Sequence, residues 1–123
     1  MEKEEKKEKK DSYPTRFALD IIGDKWKILI VENLLHGTKR FGELKKELGD
    51  ITQKVLTSNL KKLEEQGILI RKVYAQIPPK VEYKLTNLGK SLKPIVDSLL
   101  EWGAEYKEKM KSFIDEKICN NKK

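Results

Sequence analysis

The stretch that most constrains this chain is Ile51 to Leu88, ITQKVLTSNLKKLEEQGILIRKVYAQIPPKVEYKLTNL. Leu56, Leu60 and Leu63 recur at helical spacing, which predicts an amphipathic helix from a Thr52 cap to about Gln66. Ile51 precedes the cap as its hydrophobic neighbour, and Gly67 ends the helix. Two strands are expected next, Ile68–Ile77 and Val81–Leu85. Pro78 and Pro79 cannot sit inside a ladder and so mark the hairpin tip between them. Gln53, Lys54, Thr57, Ser58 and Lys61, none of them acidic, occupy the helix face away from the leucines, with Glu65 on that face at its end.

Charge is placed unevenly. Residues 25–93 carry 15 Lys or Arg against 7 acidic residues, a net +8, while the whole chain of 123 residues carries +7. The excess therefore lies in the segment holding the candidate helix and hairpin, which favours a polyanionic partner. Residues 1–12 are nearly all Lys, Glu and Asp and are expected to form a disordered charged arm. No apolar run approaches the roughly 20 residues of a membrane span, and no signal peptide is visible. A cytoplasmic protein without a membrane partner is expected. The single Cys119 excludes an intrachain disulfide and agrees with a reducing compartment.

Upstream, Thr15 is read as the cap of a helix over Arg16–Ile22, which Gly23 breaks. Asp24 caps a second helix, Lys25–Leu35, closed by His36-Gly37. Thr38-Lys39-Arg40 can form a very short strand, and Phe41–Leu48 reads as a third helix with Phe41, Leu44 and Leu48 on one stripe. Downstream, Thr86 caps a last helix from about Asn87 to Lys111 or beyond, with a kink or break expected near Leu92 because Pro94 lies in the pattern. The fold class is therefore mainly α with a small β-hairpin. Three parts are expected: the arm at 1–12, a folded domain over 13–105, and a helical extension with a charged tail over 106–123.

Residues 13–103 resemble the HxlR family of winged helix-turn-helix transcriptional regulators, relatives of the MarR type. The resemblance rests on segments in order: Ala18–Trp26, Gly37–Leu44, Ile51–Thr57 with Leu60–Gly67, Pro78–Thr86, and Leu99–Gly103. It implies a helix-turn-helix whose second helix enters the DNA major groove, a wing on the phosphates, and a C-terminal dimerisation helix. In one respect the chain departs from the family. Many members place a Cys immediately before the Pro that opens the domain, and some sense oxidants through it. Tyr13 stands there instead, so redox sensing by that route is not expected.

Candidate functional residues follow. Gln53, Lys54, Thr57, Ser58 and Lys61 are expected to read bases and phosphates: Gln suits adenine, Lys guanine, and the Thr methyl the thymine methyl. The bland alternative is a solvated helix face. Lys72, Lys80 and Lys84 on the wing, with Lys39 and Arg40, are assigned to backbone contacts; the alternative is edge-strand charge that blocks aggregation. Lys45 and Lys46 could add to them. Ile95, Val96, Leu99, Leu100 and Trp102 make the last helix apolar on more than one narrow stripe. With Phe17 on the first helix, Ile95, Leu99, Leu100 and Trp102 are assigned to a homodimer interface. Trp26 and Trp102 are read as structural aromatics. One His and one Cys do not make a usual metal site, no Gly-rich phosphate loop is present, and neither a cofactor nor an enzymatic activity is expected.

The leading expectation is a sequence-specific regulator of double-stranded DNA, a repressor binding a pseudo-palindromic operator as a homodimer. Two other classes stay open: a winged-helix protein–protein module, and a non-specific architectural DNA binder. A small-molecule effector is also left open, since no polar constellation names its ligand.

Overall fold

The computed structural model describes residues 13–121, with side chains to Ile118. The expected N-terminal arm and the Cys119 thiol lie outside what is described. The chain divides into two compact units, one ending at Leu92 and the other beginning at Lys93.

In the first unit, helix α1 (Pro14–Ile22) is followed by α2 (Lys25–Leu35), strand β1 (Lys39–Arg40), α3 (Phe41–Leu48), α4 (Gln53–Glu65), β2 (Leu69–Tyr74), β3 (Lys80–Leu85) and the short α5 (Asn87–Lys90). Each boundary has a local cause. Pro14 opens α1, where a missing N–H costs nothing, and Tyr13 is its N-cap. The expected Thr15 cap is thus corrected by two residues. Asp24 accepts from the Trp26 N–H at 2.9 Å to start α2. The Arg40 N–H donates to the Glu43 carboxylate at 3.0 Å at the head of α3. Thr52 accepts from the Val55 N–H at 3.2 Å at the head of α4.

Helix α4 stops in a Schellman turn. Gly67 adopts φ +75°, the Ile68 N–H reaches the Leu63 carbonyl at 2.9 Å, and the Gly67 N–H reaches that of Glu64 at 3.0 Å. Leu63 and Ile68, the pair such a turn brings together, are both buried.

The sheet is antiparallel with order β1-β3-β2. Lys39 pairs with Tyr83 and Arg40 with Glu82, so β1 adds a third strand to the expected hairpin. The β2–β3 register runs from Leu69 opposite Leu85 to Tyr74 opposite Lys80. Strand β2 therefore ends three residues before the expected Ile77, because the ladder has no partner beyond Lys80. Ile30, Val31, Leu34, Leu44, Ile51, Leu56, Leu60, Leu63, Leu69 and Leu85 form the core. Each fully buried Leu or Ile contributes roughly 1.5–3 kcal/mol relative to exposure.

Thr86 ties the end of the sheet to the end of α4. Its hydroxyl donates to the Gly67 carbonyl at 2.6 Å and accepts from the Gly89 N–H at 3.0 Å as the cap of α5. The expected break near Leu92 is present. Helix α5 ends at Lys90, and the second unit is a separate helix, α6 (Lys93–Asn121), with Pro94 in its first turn. This 29-residue helix continues through position 106, where the boundary between domain and extension was expected. Among the described residues no helix is long and apolar enough to cross a membrane.

Candidate nucleic-acid interface

Helix α4 buries Leu56, Asn59, Leu60 and Leu63 and exposes Gln53, Lys54, Thr57, Ser58 and Lys61. At about 100° per residue these five span a sector of roughly 140° opposite the buried stripe. No ion pair occupies Lys54 or Lys61 among the described residues. The Thr57 hydroxyl donates to the Gln53 carbonyl at 2.8 Å, one turn back. That bond occupies its proton locally and leaves its methyl as the group to meet a base. Asn59, which the leucine periodicity did not reveal, is buried and satisfies its amide by donating to the Val55 carbonyl at 2.9 Å.

A groove of about 330 Å³ runs between α4 and the sheet, lined by Thr57, Leu60, Lys61, Glu64, Arg71 and Tyr83. It brings four residues of the helix, among them the expected readers Thr57 and Lys61 and the acidic Glu64, beside Arg71 on β2. The sequence reading assigned Lys72 to the wing and left out its neighbour Arg71. The available signal was period two: Arg71 shares a face with buried Leu69 and lies opposite Tyr83.

The register sorts the wing residues between the two faces of the sheet. Directly opposed residues share a face, so Lys72, Lys80, Lys84, Tyr74, Glu82 and Arg40 lie together. Lys39 belongs to the other face and is tied to Glu47 at 2.8 Å. Lys72 and Lys80 lie over the Tyr74 ring, with nitrogens 5.0 and 4.9 Å from its centroid. Lys80 also pairs with Glu82 at 2.8 Å. Lys80, with weaker help from Arg40 and Lys72, holds the Glu82 carboxyl below its ordinary range. Glu82 went unnoticed in the sequence because the strand pairings that surround it with cations are not local.

Phe17 on α1 is exposed. In the second unit Ile95, Leu99, Leu100 and Trp102 are exposed as well, Trp102 by 64%. Trp102 stacks on Tyr106 at 5.1 Å, and Tyr106, Phe113, Ile114 and Ile118 continue the apolar exposure along α6.

A helix capped by Thr52, presented by the preceding α3 and followed by a basic three-stranded wing, defines a winged helix-turn-helix DNA-binding fold. The chain belongs to the HxlR-like helix-turn-helix family, whose model matches residues 21–111, and is a transcriptional regulator. It is 44% identical over 104 residues to the uncharacterized HTH-type transcriptional regulator YybR of Bacillus subtilis strain 168, covering 85% of this chain and 83% of that one. Among solved structures it is similar to the putative HTH-type transcriptional regulator ytcD, with a TM-score of 0.74 and 47% identity over 77% of this chain and 97% of that one. It is also similar to the redox regulator HypR in its reduced form, with a TM-score of 0.76 and 45% identity over 80% and 98% of the two chains.

Proposed function

We propose that the protein is a sequence-specific repressor that binds a pseudo-palindromic operator in double-stranded DNA as a homodimer. The observation that carries the reading is the exposed N-terminal part of the polar face of α4, whose acidic residues, Glu64 and Glu65, come only in its last turn. Gln53, Lys54, Thr57, Ser58 and Lys61 point away from a fully buried leucine stripe and offer donors, acceptors and a methyl to base edges. Lys72 and Lys84 on the wing, with Arg40, supply phosphate contacts that position the helix without choosing a sequence. Arg71 joins them from the groove beside Thr57 and Lys61.

The dimer rests on α6. A helix with Leu99, Leu100, Trp102, Tyr106, Phe113 and Ile118 exposed carries more apolar surface than a lone helix holds stably in water. A second copy packed against α6 covers that surface. It also sets two recognition helices about one DNA turn, ~34 Å, apart. Occupancy of a promoter by such a dimer excludes polymerase, which is the repressor part of the proposal. Tyr13 at the head of α1 offers no thiol, so the redox role in the name of HypR is not extended to this chain at that position.

The test is transcription from the selected operator in vitro. Added protein should lower the transcript yield, and Lys54→Ala should remove the effect. A yield that rises with added protein would replace repression by activation.

A further inference from the structure

Glu82 is the one acidic side chain among the described residues on the basic face of the sheet. It sits on the central strand, opposite Arg40 on one side and Lys72 on the other. Lys80, two residues away on the same strand, closes the third side at 2.8 Å. A polar cleft of about 200 Å³ lined by Thr38, Lys39, Arg40, Glu43, Lys80 and Glu82 opens beside it. An anion paired with Lys80 and flanked across the strands by Arg40 and Lys72 stands where a phosphate oxygen would otherwise be received.

We propose that Glu82 is an internal competitor for the DNA backbone: its carboxylate occupies the position a phosphate would take among Arg40, Lys72 and Lys80 and so holds down the affinity of the wing for any duplex. Lys80 can reach a phosphate only by giving up a charge-assisted bond to Glu82, and an incoming phosphate is repelled by the carboxylate. The wing thus contributes less sequence-independent binding than its lysines would supply alone. Binding energy shifts toward the base-reading face of α4. Because wing contacts are blind to sequence, the restraint acts alike on operator and random DNA.

This inference rests on the DNA-binding reading above, and the experiment separates the two. Binding of a fluorescent random-sequence duplex is measured over a series of salt concentrations for the wild type, Glu82→Gln, Lys80→Ala and the double variant. Gln keeps the shape of Glu and removes the charge. The expected result is that Glu82→Gln binds roughly threefold or more tightly than wild type, with a log–log salt slope steeper by about one. Lys80→Ala should then cost clearly more in the Glu82→Gln background than in the wild type.

Lys80→Ala alone gives a second route that leaves Glu82 in place. It should lower the slope by well under one unit, against about one for Lys84→Ala. Unchanged or weaker binding by a folded Glu82→Gln protein would overturn the proposal and leave Glu82 as a fastener of the sheet. So would a full unit lost in Lys80→Ala alone. A wild type that binds no duplex at any salt would overturn the DNA-binding reading, and this inference with it.

Discussion

At the scale of single residues, discrimination and affinity belong to different side chains. Lys54 and Thr57 stand on the exposed face of α4, and Thr57 has already given its hydroxyl to its own helix. Lys54→Ala and Thr57→Ala should each cost about 1–3 kcal/mol of the preference for operator over random DNA, read by competition binding. Lys84→Ala should instead weaken both alike. Preserved selectivity in both α4 variants would mean that another element reads the bases. Glu82 carries a pH signature too. Its folded carboxyl is depressed below the ordinary 4.5, so the stability it contributes is full above that value and is lost as pH falls through the lower folded value. The difference in melting temperature between wild type and Glu82→Gln should be constant from neutral pH down to about the ordinary carboxylate range and vanish below it. A difference unchanged in acid would deny the charge any part in it.

At the scale of elements, the joint between sheet and helices leaves no room for a side chain at Gly89. A Cβ on Gly89 would stand 2.1 Å from the Ile68 carbonyl oxygen, which is backbone and cannot step aside. Gly89→Ala should therefore destabilise by roughly 1–3 kcal/mol, seen as a lower denaturation midpoint, even though Ala favours helix elsewhere. Thr86→Ala should cost about 1–2 kcal/mol, since one hydroxyl serves both the α5 cap and the bond to Gly67.

Local signals wrote much of this into the sequence. Asp24 and Thr52 as caps, Phe41–Leu48 as a helix, Gly67 as a terminus and the Pro94 break are all decided by a residue and its near neighbours. What escaped depends on distant pairing. The very short strand at Lys39-Arg40 was expected, but its partners, Tyr83 and Glu82, lie too far along the chain to be read from it. Ala75, Gln76 and Ile77 read as strand only because their lack of a cross-strand partner is invisible locally. Arg71 in the groove and Glu82 among the cations follow from the same register.

At the scale of the whole molecule, the proposed function needs two copies. The exposed apolar residues of α6 should make the protein a dimer at micromolar concentration in sedimentation. Leu99→Lys combined with Trp102→Lys should yield a monomer that keeps its helicity and loses operator affinity by at least an order of magnitude, since binding by one half-site forfeits the effective concentration of the second. A wild type that sediments as a monomer would remove the dimer from the account.

The most direct test of the central claim is selection from a random duplex library at two salt concentrations. An inverted repeat with half-sites about one turn apart should be enriched at both, with total binding falling steeply as salt rises. Salt-sensitive binding with no enriched sequence would contradict specific readout by α4 and point to an architectural binder. Absence of binding at either salt would contradict the DNA-binding account itself.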